Sequence, residues 1–356
     1  MEPVNLFDFQ ILAKEKLSGM VYDYYAGGAD DEITVGENHT AYNRIRLKYR
    51  VLVDVSQRDL STTLLGERVS MPVFIAPTAF HCLAHPEGEV ATARAAGAAG
   101  TIMILSSLSN SAVEDVTQAS SSPVWFQLYV HKDRGITAHL VNRVREAGCK
   151  AIVLTVDVPV LGRRERDIRN GFGLPPNLSA KNLTGEGLEQ LPKGMTGSAL
   201  AEYINSFINP ALTWNDVDWL CSFSKLPVFI KGLITAEDSV RAVEHGASGI
   251  VVSNHGGRQL DTAQPPIEAL PEIVDAVNQK VEVLIDGGIR RGTDVLKAIA
   301  LGAKAVLLGR PILWGLAVNG EHGVSNVLSL LRNEFDAAMA LCGCTSVDEI
   351  GDHLIA

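Results

Sequence analysis

Short runs of β-branched and other apolar residues recur along most of the chain. Each run is bounded by glycine, proline or polar residues, and each is apolar on nearly every position, as in strands that are buried on both faces of a sheet. The pattern therefore predicts eight buried strands. They lie at residues 73–76, 101–106, 124–130, 151–156, 228–231, 248–253, 281–286 and 304–308.

Segments with the apolar spacing of helices separate these strands. The clearest are residues 88–100, 134–148, 236–246 and 293–302, and each of them ends at a glycine, as helices commonly do. Strands that alternate with helices pair in parallel, so the chain is of the α/β class. Eight such units favour a closed (β/α)8 TIM barrel, and a doubly wound open sheet is the alternative.

The chain is predicted to form a single domain, residues 1–356. Two regions of it do not follow the alternation of strands and helices. Residues 1–70 are predicted to form a helical lead-in to the barrel at residues 71–345, with helical spacing from Phe7 to Ala26 and an acidic turn at residues 27–32. The interval after the fourth strand is longer than a crossover helix needs. Its part from Asn170 to Gly197 lacks periodicity, and we interpret residues 170–197 as a lid loop over an active site.

Composition and termini narrow the class of protein. The 356 residues are 46% hydrophobic and 20% charged, which is ordinary for a soluble globular protein, and no apolar stretch is long enough to cross a bilayer. The N-terminus has no basic region followed by an apolar core, and Leu354-Ile355-Ala356 is not the peroxisomal tripeptide. We therefore expect a cytoplasmic protein without a membrane partner.

The net charge and the cysteine content argue against a nucleic-acid-binding protein and against a disulfide-rich protein. A formal net charge of -10 argues against nucleic acid as a partner, because phosphate binding requires clustered lysine and arginine. The cysteines are odd in number and scattered, which predicts free thiols rather than a disulfide framework. Cys342 and Cys344 have no partner pair or nearby histidine, so no metal site is expected. The five cysteines are Cys82, Cys149, Cys221, Cys342 and Cys344.

Polar residues follow nearly every predicted strand. In a barrel of this kind the C-terminal ends of the strands form the active site, so these residues are predicted to converge. A single hydroxyl there, such as that of Thr155 or Ser106, is more often a core residue than a ligand-binding group. The convergence of many polar groups at one rim is what indicates a site.

The sixth strand ends in Ser253-Asn254-His255-Gly256-Gly257-Arg258. An imidazole titrates near neutrality and can act as a base, and the planar guanidinium of Arg258 matches a carboxylate. Arg164 and Tyr24 are further candidate donors to the same anion. Asp157, at the end of the fourth strand, is the predicted partner of His255, where a carboxylate would raise the pKa of the imidazole and fix its tautomer.

Three more arginines lie near Arg164 in the sequence, and we expect them to face solvent or to pair with nearby acids. They are Arg163, Arg166 and Arg169, and the acids are Glu165 and Asp167.

The last two strands lead into a predicted phosphate cradle. Asp286-Gly287-Gly288-Ile289-Arg290 precedes one helix and Gly309-Arg310-Pro311 opens the next. Backbone N–H groups at helix N-termini and two guanidinium groups would meet where barrels commonly bind phosphate. Lys231, which has no obvious acidic partner in the sequence, is consistent with stabilising an anionic cofactor ring.

A base, a carboxylate clamp and a phosphate-bearing cofactor together predict oxidation of the carbon α to a carboxylate. The sequence has no strand, G-x-G-x-x-G and helix fingerprint for a nicotinamide cofactor, so flavin is the better electron acceptor. Two rival interpretations are a phosphosugar isomerase or aldolase, in which the cradle holds the substrate, and a non-catalytic binding barrel.

Six motifs together resemble the FMN-dependent α-hydroxy-acid oxidase family, and the likeness runs from about residue 5 to the C-terminus. The motif SNHGGRQLD at residues 253–261 is highly specific in combination with the others. These others are PTAF (77–80), WFQLYVHKDR (125–134), LTVDVPVLGRRERDIRN (154–170), VEVLIDGGIRRGTDVLKA (281–298) and LLGRPILWGLA (307–317).

The resemblance implies a role for each residue that matches a family motif. His255 is the implied base, Asp157 supports it, and Tyr129, Tyr24, Arg164 and Arg258 surround the carboxylate and hydroxyl of the substrate. Leu108 and Phe80 line the substrate pocket by the same likeness. The implied FMN-binding residues are Pro77, Thr78, Ala79, Ser106, Gln127, Thr155, Lys231, Ser253, Asp286, Gly287, Gly288, Arg290, Gly309 and Arg310.

The resemblance also implies a homo-oligomer, tetramer or octamer, that oxidises a small (S)-2-hydroxy acid to the 2-oxo acid and reduces O2 to hydrogen peroxide. L-Lactate is the preferred candidate, because Leu108 resembles lactate oxidases where glycolate-oxidase-like members carry Trp. Phe80 stands where those members carry Met, and PTAFHCLAH is closer to oxidases of longer 2-hydroxy acids. Glycolate, longer 2-hydroxy acids and a non-oxygen electron acceptor are the alternatives.

Overall fold

Eight parallel strands form a closed barrel in which the last strand pairs with the first. The computed structural model describes residues 2–183 and 204–356. The closure confirms the predicted (β/α)8 barrel and excludes the open sheet. In chain order the strands are β1 (Thr62–Leu64), β2 (Glu67–Val69), β3 (Val73–Ile75), β4 (Met103–Ser106), β5 (Val124–Leu128), β6 (Ile152–Thr155), β7 (Val228–Leu233), β8 (Gly249–Val252), β9 (Glu282–Asp286) and β10 (Ala305–Leu308), with β3 to β10 in the barrel.

Helices surround the barrel. The longest is non-helical at Asn319 and Gly320, so it consists of two helices joined by a kink. The described helices are α1 (Leu6–Lys16), α2 (Gly19–Ala26), α3 (Ile33–Arg44), α4 (Gly88–Ala99), α5 (Val113–Ala119), α6 (Arg134–Glu146), α7 (Glu165–Asn170), α8 (Trp214–Ser224), α9 (Ala236–Glu244), α10 (Pro266–Val277), α11 (Gly292–Ala300) and α12 (Arg310–Cys342), with 3-10 turns at His81–Leu83, Val347–Glu349 and Asp352–Leu354.

The interior of the barrel is filled with large side chains. Phe74, Trp125 and Phe229 belong to one buried cluster, and the rings of Trp125 and Phe229 lie 4.8 Å apart. A β-carbon on Gly249 would collide with the ring of Phe229, so glycine makes room for that ring. Because the interior is packed, as in other barrels of this type, a ligand has space only at the mouth.

The N-terminal region differs from the predicted helical lead-in. The helical pattern from Phe7 to Ala26 forms two helices, because Leu17 is extended and the Ser18 side chain caps the N-terminus of α2. Residues 62–69 form an antiparallel hairpin that the sequence analysis missed. Leu64 of this hairpin packs in the interior cluster of the barrel, so the hairpin covers the end opposite to the mouth.

The long connection after β6 returns beside the end of β5. The backbone N–H of Lys132 donates to the carbonyl of Phe207, and the N–H of Asn209 donates to the carbonyl of Val130. The predicted lid at residues 170–197 is described only as far as residue 183, and its remainder lies outside the described residues. Across residues 2–183 and 204–356, no helix is both long and apolar enough to cross a membrane.

Candidate active site

The inward-facing residues change from apolar to polar towards the C-terminal ends of the strands. Side chains alternate along a strand, so the residue two positions beyond an interior one also faces inward. Trp125 is thus followed by Gln127, and Phe229 by Lys231. The same rule leads from Leu284 to Asp286. A polar layer therefore covers the packed interior.

Above this layer lies a cavity of about 1060 Å³, part of which is open to solvent. Its wall includes most of the residues that the sequence analysis assigned to a site. The assigned residues on the wall are Tyr24, Pro77, Thr78, Ala79, Ser106, Leu108, Gln127, Tyr129, Arg164, Lys231, His255, Arg258, Asp286, Gly287, Gly288, Arg290, Gly309 and Arg310.

His255 and Asp157 form the predicted pair, with 2.8 Å between Nδ1 of His255 and Oδ1 of Asp157. His255 has the left-handed φ of 58°, which turns the chain sharply after β8, and its N–H donates to the Ser253 hydroxyl. Burial lowers the pKa of His255, although the Asp157 carboxylate acts to raise it. Burial acts to raise the pKa of Asp157, but His255 and Lys231 hold that pKa below its ordinary value.

The Asp157 carboxylate is therefore ionised near neutral pH, and the His255 imidazole is neutral. Because a carboxylate only accepts hydrogen bonds, the proton of the neutral ring lies on Nδ1, which leaves a lone pair on Nε2. His255 lies on the cavity wall. This arrangement makes the imidazole a base available to a ligand in the cavity.

Arg164 and Arg258 bring two guanidinium groups to one side of the cavity. Nη1 of Arg258 donates to the carbonyl oxygens of Tyr24 and Gly27 at 2.7 and 2.9 Å, and its guanidinium lies 5.2 Å from the centre of the Tyr24 ring. Burial and the charge of Arg258 lower the pKa of Arg164 to about 10, so Arg164 stays charged at neutral pH. The remaining N–H groups are suited to an anionic ligand.

Two phenols complete this side of the cavity. Burial raises the pKa of both Tyr24 and Tyr129, so both hydroxyls stay protonated and can donate hydrogen bonds. The ring of Phe172 stacks on Tyr24 with ring centroids 4.1 Å apart. Tyr24 is thus held between Phe172 and Arg258.

Arg166 of α7 forms salt bridges to the N-terminal region, and these differ from the predicted pairing. Arg166 pairs with Asp23 and Glu32 rather than with Asp167. Arg163 and Arg169 pair with Glu165, as predicted.

The predicted phosphate cradle has two charged groups and a glycine turn. Gly287 and Gly288 have left-handed φ angles of 95° and 84°, and a β-carbon on Gly288 would collide with the carbonyl of Asn38. Burial lowers the pKa of Arg290 to about 10 and that of Arg310 to about 9, so both guanidinium groups are charged at neutral pH. Fixed cations and backbone N–H groups in a tight turn are typical of phosphate sites.

Arg310 also forms hydrogen bonds to the backbone that the sequence does not predict. It donates hydrogen bonds to the carbonyl oxygens of Tyr25, Gly256 and Gly27, at distances of 2.9 to 3.0 Å. Arg310 thereby ties the C-terminal end of α2 to the barrel.

Lys231 has no acid close to it in the sequence, but the fold brings one into contact with it. Its ammonium lies 2.9 Å from Oδ2 of Asp286 and donates to the Ser253 hydroxyl at 2.9 Å. The acid comes from a strand 55 positions away in the numbering, so local sequence gave no sign of it. Burial acts to lower the pKa of Lys231, but Asp286 and Asp157 raise it above its ordinary value.

Two buried polar atoms on the cavity wall have no hydrogen-bond partner among the described residues. They are Nε2 of Gln127 and Oδ1 of Asp286. The amide orientation of Gln127 is fixed, because its oxygen accepts from Ser106 and from the N–H of Ser107. The amide N–H of Gln127 can donate to a ligand in the cavity, and the carboxylate oxygen of Asp286 can accept from it. A ligand with a heteroaromatic ring, a polyhydroxyl chain and a phosphate offers partners for both atoms and for the cradle. The residues therefore fit a flavin mononucleotide.

Four assigned residues are not on the wall, and one of them is Asp157, which pairs with His255. Thr155 is buried next to Lys231, and Ser253 orients Lys231 and His255 from behind. Phe80 is fully buried, and its ring lies 6.1 Å from that of Tyr24. The sequence analysis missed the wall residue Tyr25 and several apolar wall residues that carry no recognisable chemistry, namely Leu161, Ile204 and Leu313.

The histidine–aspartate pair, the arginine pair and the polar cavity at the mouth of this (β/α)8 barrel are the features expected of a flavin-dependent oxidoreductase. A sequence model of the FMN-dependent dehydrogenase family matches residues 13–356. The chain is 56% identical over 352 residues to L-lactate oxidase of Nostoc sp., covering 98% of this chain and 96% of that protein. It is 52% identical over 356 residues to glycolate oxidase of Spinacia oleracea, covering 100% and 96%.

A crystal structure of mandelate oxidase superimposes with a TM-score of 0.93 at 45% identity, covering 97% of each chain. The chain belongs to the FMN-dependent dehydrogenase family, and its cofactor is FMN.

Proposed function

We propose that this enzyme oxidises a small (S)-2-hydroxy acid, with L-lactate as the preferred substrate, and passes the electrons to O2 to give hydrogen peroxide. The observation that carries the proposal is the position of His255 on the same cavity wall as Arg164 and Arg258. A carboxylate held by the arginines would present its hydroxyl-bearing α carbon to a neutral imidazole. Relatives that are named L-lactate oxidase and glycolate oxidase support this chemistry.

Each side chain has a distinct task in this proposal. FMN held by the cradle would supply the two-electron acceptor and would also take up the hydrogen of the substrate that does not go to His255. His255 takes a proton from the substrate on Nε2, and Asp157 stabilises the imidazolium that results. Tyr24 and Tyr129 donate hydrogen bonds to the oxygens of the substrate. Lys231, held by Asp286, supplies positive charge beside the ring of the cofactor.

The proposed activity is tested with one yellow preparation under air. We expect kcat/KM to be highest for L-lactate among glycolate, L-lactate, mandelate and 2-hydroxyoctanoate, with peroxide formed in an amount equal to the oxygen consumed. Turnover that requires a quinone or protein acceptor would contradict the oxidase assignment. A colourless protein, or one that binds a phosphosugar, would contradict the flavin chemistry as a whole.

Leu108 is the expected determinant of the preference for L-lactate. It lies on the cavity wall. We infer that its side chain leaves space for a methyl group beside the reacting carbon. The indole of Leu108→Trp would fill that space. A methyl contact is worth roughly 1 to 3 kcal/mol, so the lactate-to-glycolate ratio of kcat/KM should fall about ten-fold or more.

Phe80→Met provides the control for Leu108→Trp, because Phe80 is buried away from the wall. We expect Phe80→Met to leave the lactate-to-glycolate ratio within about two-fold of the parent, with bound FMN checked in each variant. A ratio that follows Phe80 rather than Leu108 would remove Leu108 as the selector.

The pH dependence follows from the lowered pKa of His255. The neutral imidazole is the active form, so the rate is full above that pKa and is lost as the pH falls through it. The acid limb of kcat/KM should therefore lie below about pH 6.5, the ordinary pKa of histidine. Asp157→Asn removes a charge that raises this pKa, so it should move the limb to lower pH and reduce the maximal rate. An acid limb above the ordinary value would contradict the assignment.

We also propose that the enzyme acts in the cytoplasm as a homo-oligomer, as the family likeness implies. Light scattering of the purified holoenzyme measures the assembly directly, and a monomer would contradict it.

A further inference from the structure

Three consecutive residues after β8 have left-handed backbone conformations. The φ angles of His255, Gly256 and Gly257 are 58°, 65° and 75°. Glycine adopts such angles without steric cost, but a histidine is strained there and keeps the conformation only where its surroundings fix it. The turn that carries the proposed base is therefore held in place by contacts with other parts of the chain.

The side chain of Asn254 makes these contacts. Its Oδ1 accepts from the N–H of Gly257 at 3.1 Å, and its Nδ2 donates to the carbonyl of Gln264 at 3.2 Å, which fixes the orientation of the amide. Nδ2 of Asn38 donates to Oδ1 of Asn254 at 2.9 Å, and Nδ2 of Asn254 donates to Oδ1 of Asn38 at 2.7 Å. Asn38 thus completes the hydrogen bonding of Asn254.

Asn38 lies on α3 and is 2% exposed. Neither Asn38 nor Asn254 lies on the cavity wall, so neither is placed to touch a ligand there. The two amides each donate to and accept from the other. A side chain at position 38 that only accepts hydrogen bonds, or forms none, would leave a buried group of Asn254 unpaired, which costs free energy.

The same helix also contacts the phosphate cradle. A β-carbon on Gly288 would collide with the carbonyl of Asn38, so the two backbones are in close contact. Nδ1 of His39 lies 3.2 Å from the carbonyl oxygen of Gly288. At the start of α3 the N–H of Thr34 donates to the carboxylate of Asp261 at 2.8 Å. The helix therefore joins the segment after β8 to the segment after β9.

We propose that Asn38 is a positioning residue that fixes His255 relative to the phosphate cradle and acts through Asn254. The inference rests on the proposed function, in which His255 takes a proton from the substrate. Loss of the Asn38 amide would let the strained turn relax and move the imidazole. Because a small displacement of a reacting group slows a reaction strongly, the chemical step should suffer.

The groups that bind the substrate carboxylate should be affected less. Arg258 follows the same turn, but it has its own anchors, since Nη1 donates to the carbonyl oxygens of Tyr24 and Gly27 at 2.7 and 2.9 Å. Arg164 comes from the connection after β6. The inference therefore predicts a slower chemical step with little change in the affinity for a carboxylate.

The test uses Asn38→Asp as the holoenzyme. A carboxylate is nearly the size of the amide and accepts from Asn254, but it cannot donate to Oδ1 of Asn254. Anaerobic rapid mixing over a series of L-lactate concentrations separates the limiting rate of flavin reduction from substrate binding. We expect the limiting rate to fall about 10- to 100-fold. The dissociation constants of L-lactate and of propionate, the latter measured by calorimetry, should stay close to those of the parent.

Asn43→Asp is the matched control, because Asn43 is an exposed residue of the same helix and the substitution is the same. It should change neither the rate nor the affinities. Asn38→Ala removes the amide without adding a charge, so it should slow flavin reduction as well. A crystal structure of Asn38→Asp should show the turn at His255 displaced relative to Gly288.

Limiting rates equal to the parent's in both Asn38 variants would overturn the inference. It would also be wrong if the variants only lose thermal stability or FMN while the FMN-loaded fraction reduces at the parent rate, or if only the dissociation constants change. Failure of the proposed function is recognised separately, because His255→Ala would then reduce as fast as the parent.

Discussion

His255→Ala is expected to give a folded, yellow protein whose flavin is reduced by substrate about 10² to 10⁴-fold more slowly than in the parent. The side chain contacts Asp157 through Nδ1, and its Nε2 has the lone pair that accepts the substrate proton. FMN should remain bound, because the cradle at Gly288 and Arg290 does not involve His255. Anaerobic rapid mixing with substrate, followed by the loss of flavin absorbance, measures the rate.

His245→Ala is the matched control for this substitution. His245 also pairs through Nδ1 with an aspartate, Asp218, at 2.8 Å, but the pair is outside the cavity. The control should reduce as fast as the parent. If His255→Ala does the same, the base is another residue.

The barrel was predictable because its strands are buried on both faces. The strand Ile152–Thr155, for example, is apolar up to its last residue and is buried at every position. The alternation of such runs with helices along the chain indicates parallel pairing. The hairpin at residues 62–69 was missed, because its strands are only three residues long and contain exposed positions, so they form no continuous apolar run. The break at Ser18 was missed because the apolar spacing continues across it.

The sequence predicted which strand ends form the site, but it predicted only some of the contacts between the side chains there. Asp157 and His255 could be matched because each follows a strand and their chemistries are complementary. Lys231 and Asp286 lie on β7 and β9, which flank β8, and the sequence near either residue gives no sign of their pairing. The stacking of Phe172 on Tyr24 joins two regions outside the barrel strands, and no periodic pattern in the sequence encodes it.

Arg258→Lys should weaken substrate binding while leaving the protein yellow. The guanidinium of Arg258 donates to two carbonyl oxygens of the N-terminal region and lies over the Tyr24 ring, while its other N–H groups remain for a ligand. A lysine ammonium cannot donate to these carbonyl oxygens and bind the substrate carboxylate at the same time. The loss of a hydrogen bond to a charged group costs about 1.5 to 3 kcal/mol, so we expect KM to rise roughly 10- to 100-fold.

The division between KM and kcat decides whether Arg258 mainly binds the carboxylate. Arg163→Lys is the control, because Arg163 is an exposed arginine next to Arg164 in the sequence and pairs with Glu165 at 3.5 Å. It should leave both constants within about two-fold of the parent. The affinity for propionate, measured without turnover, should fall in Arg258→Lys in proportion to the rise in KM. Unchanged propionate binding with a lower kcat would instead show that Arg258 acts on the chemical step, and the carboxylate would then be bound chiefly by Arg164.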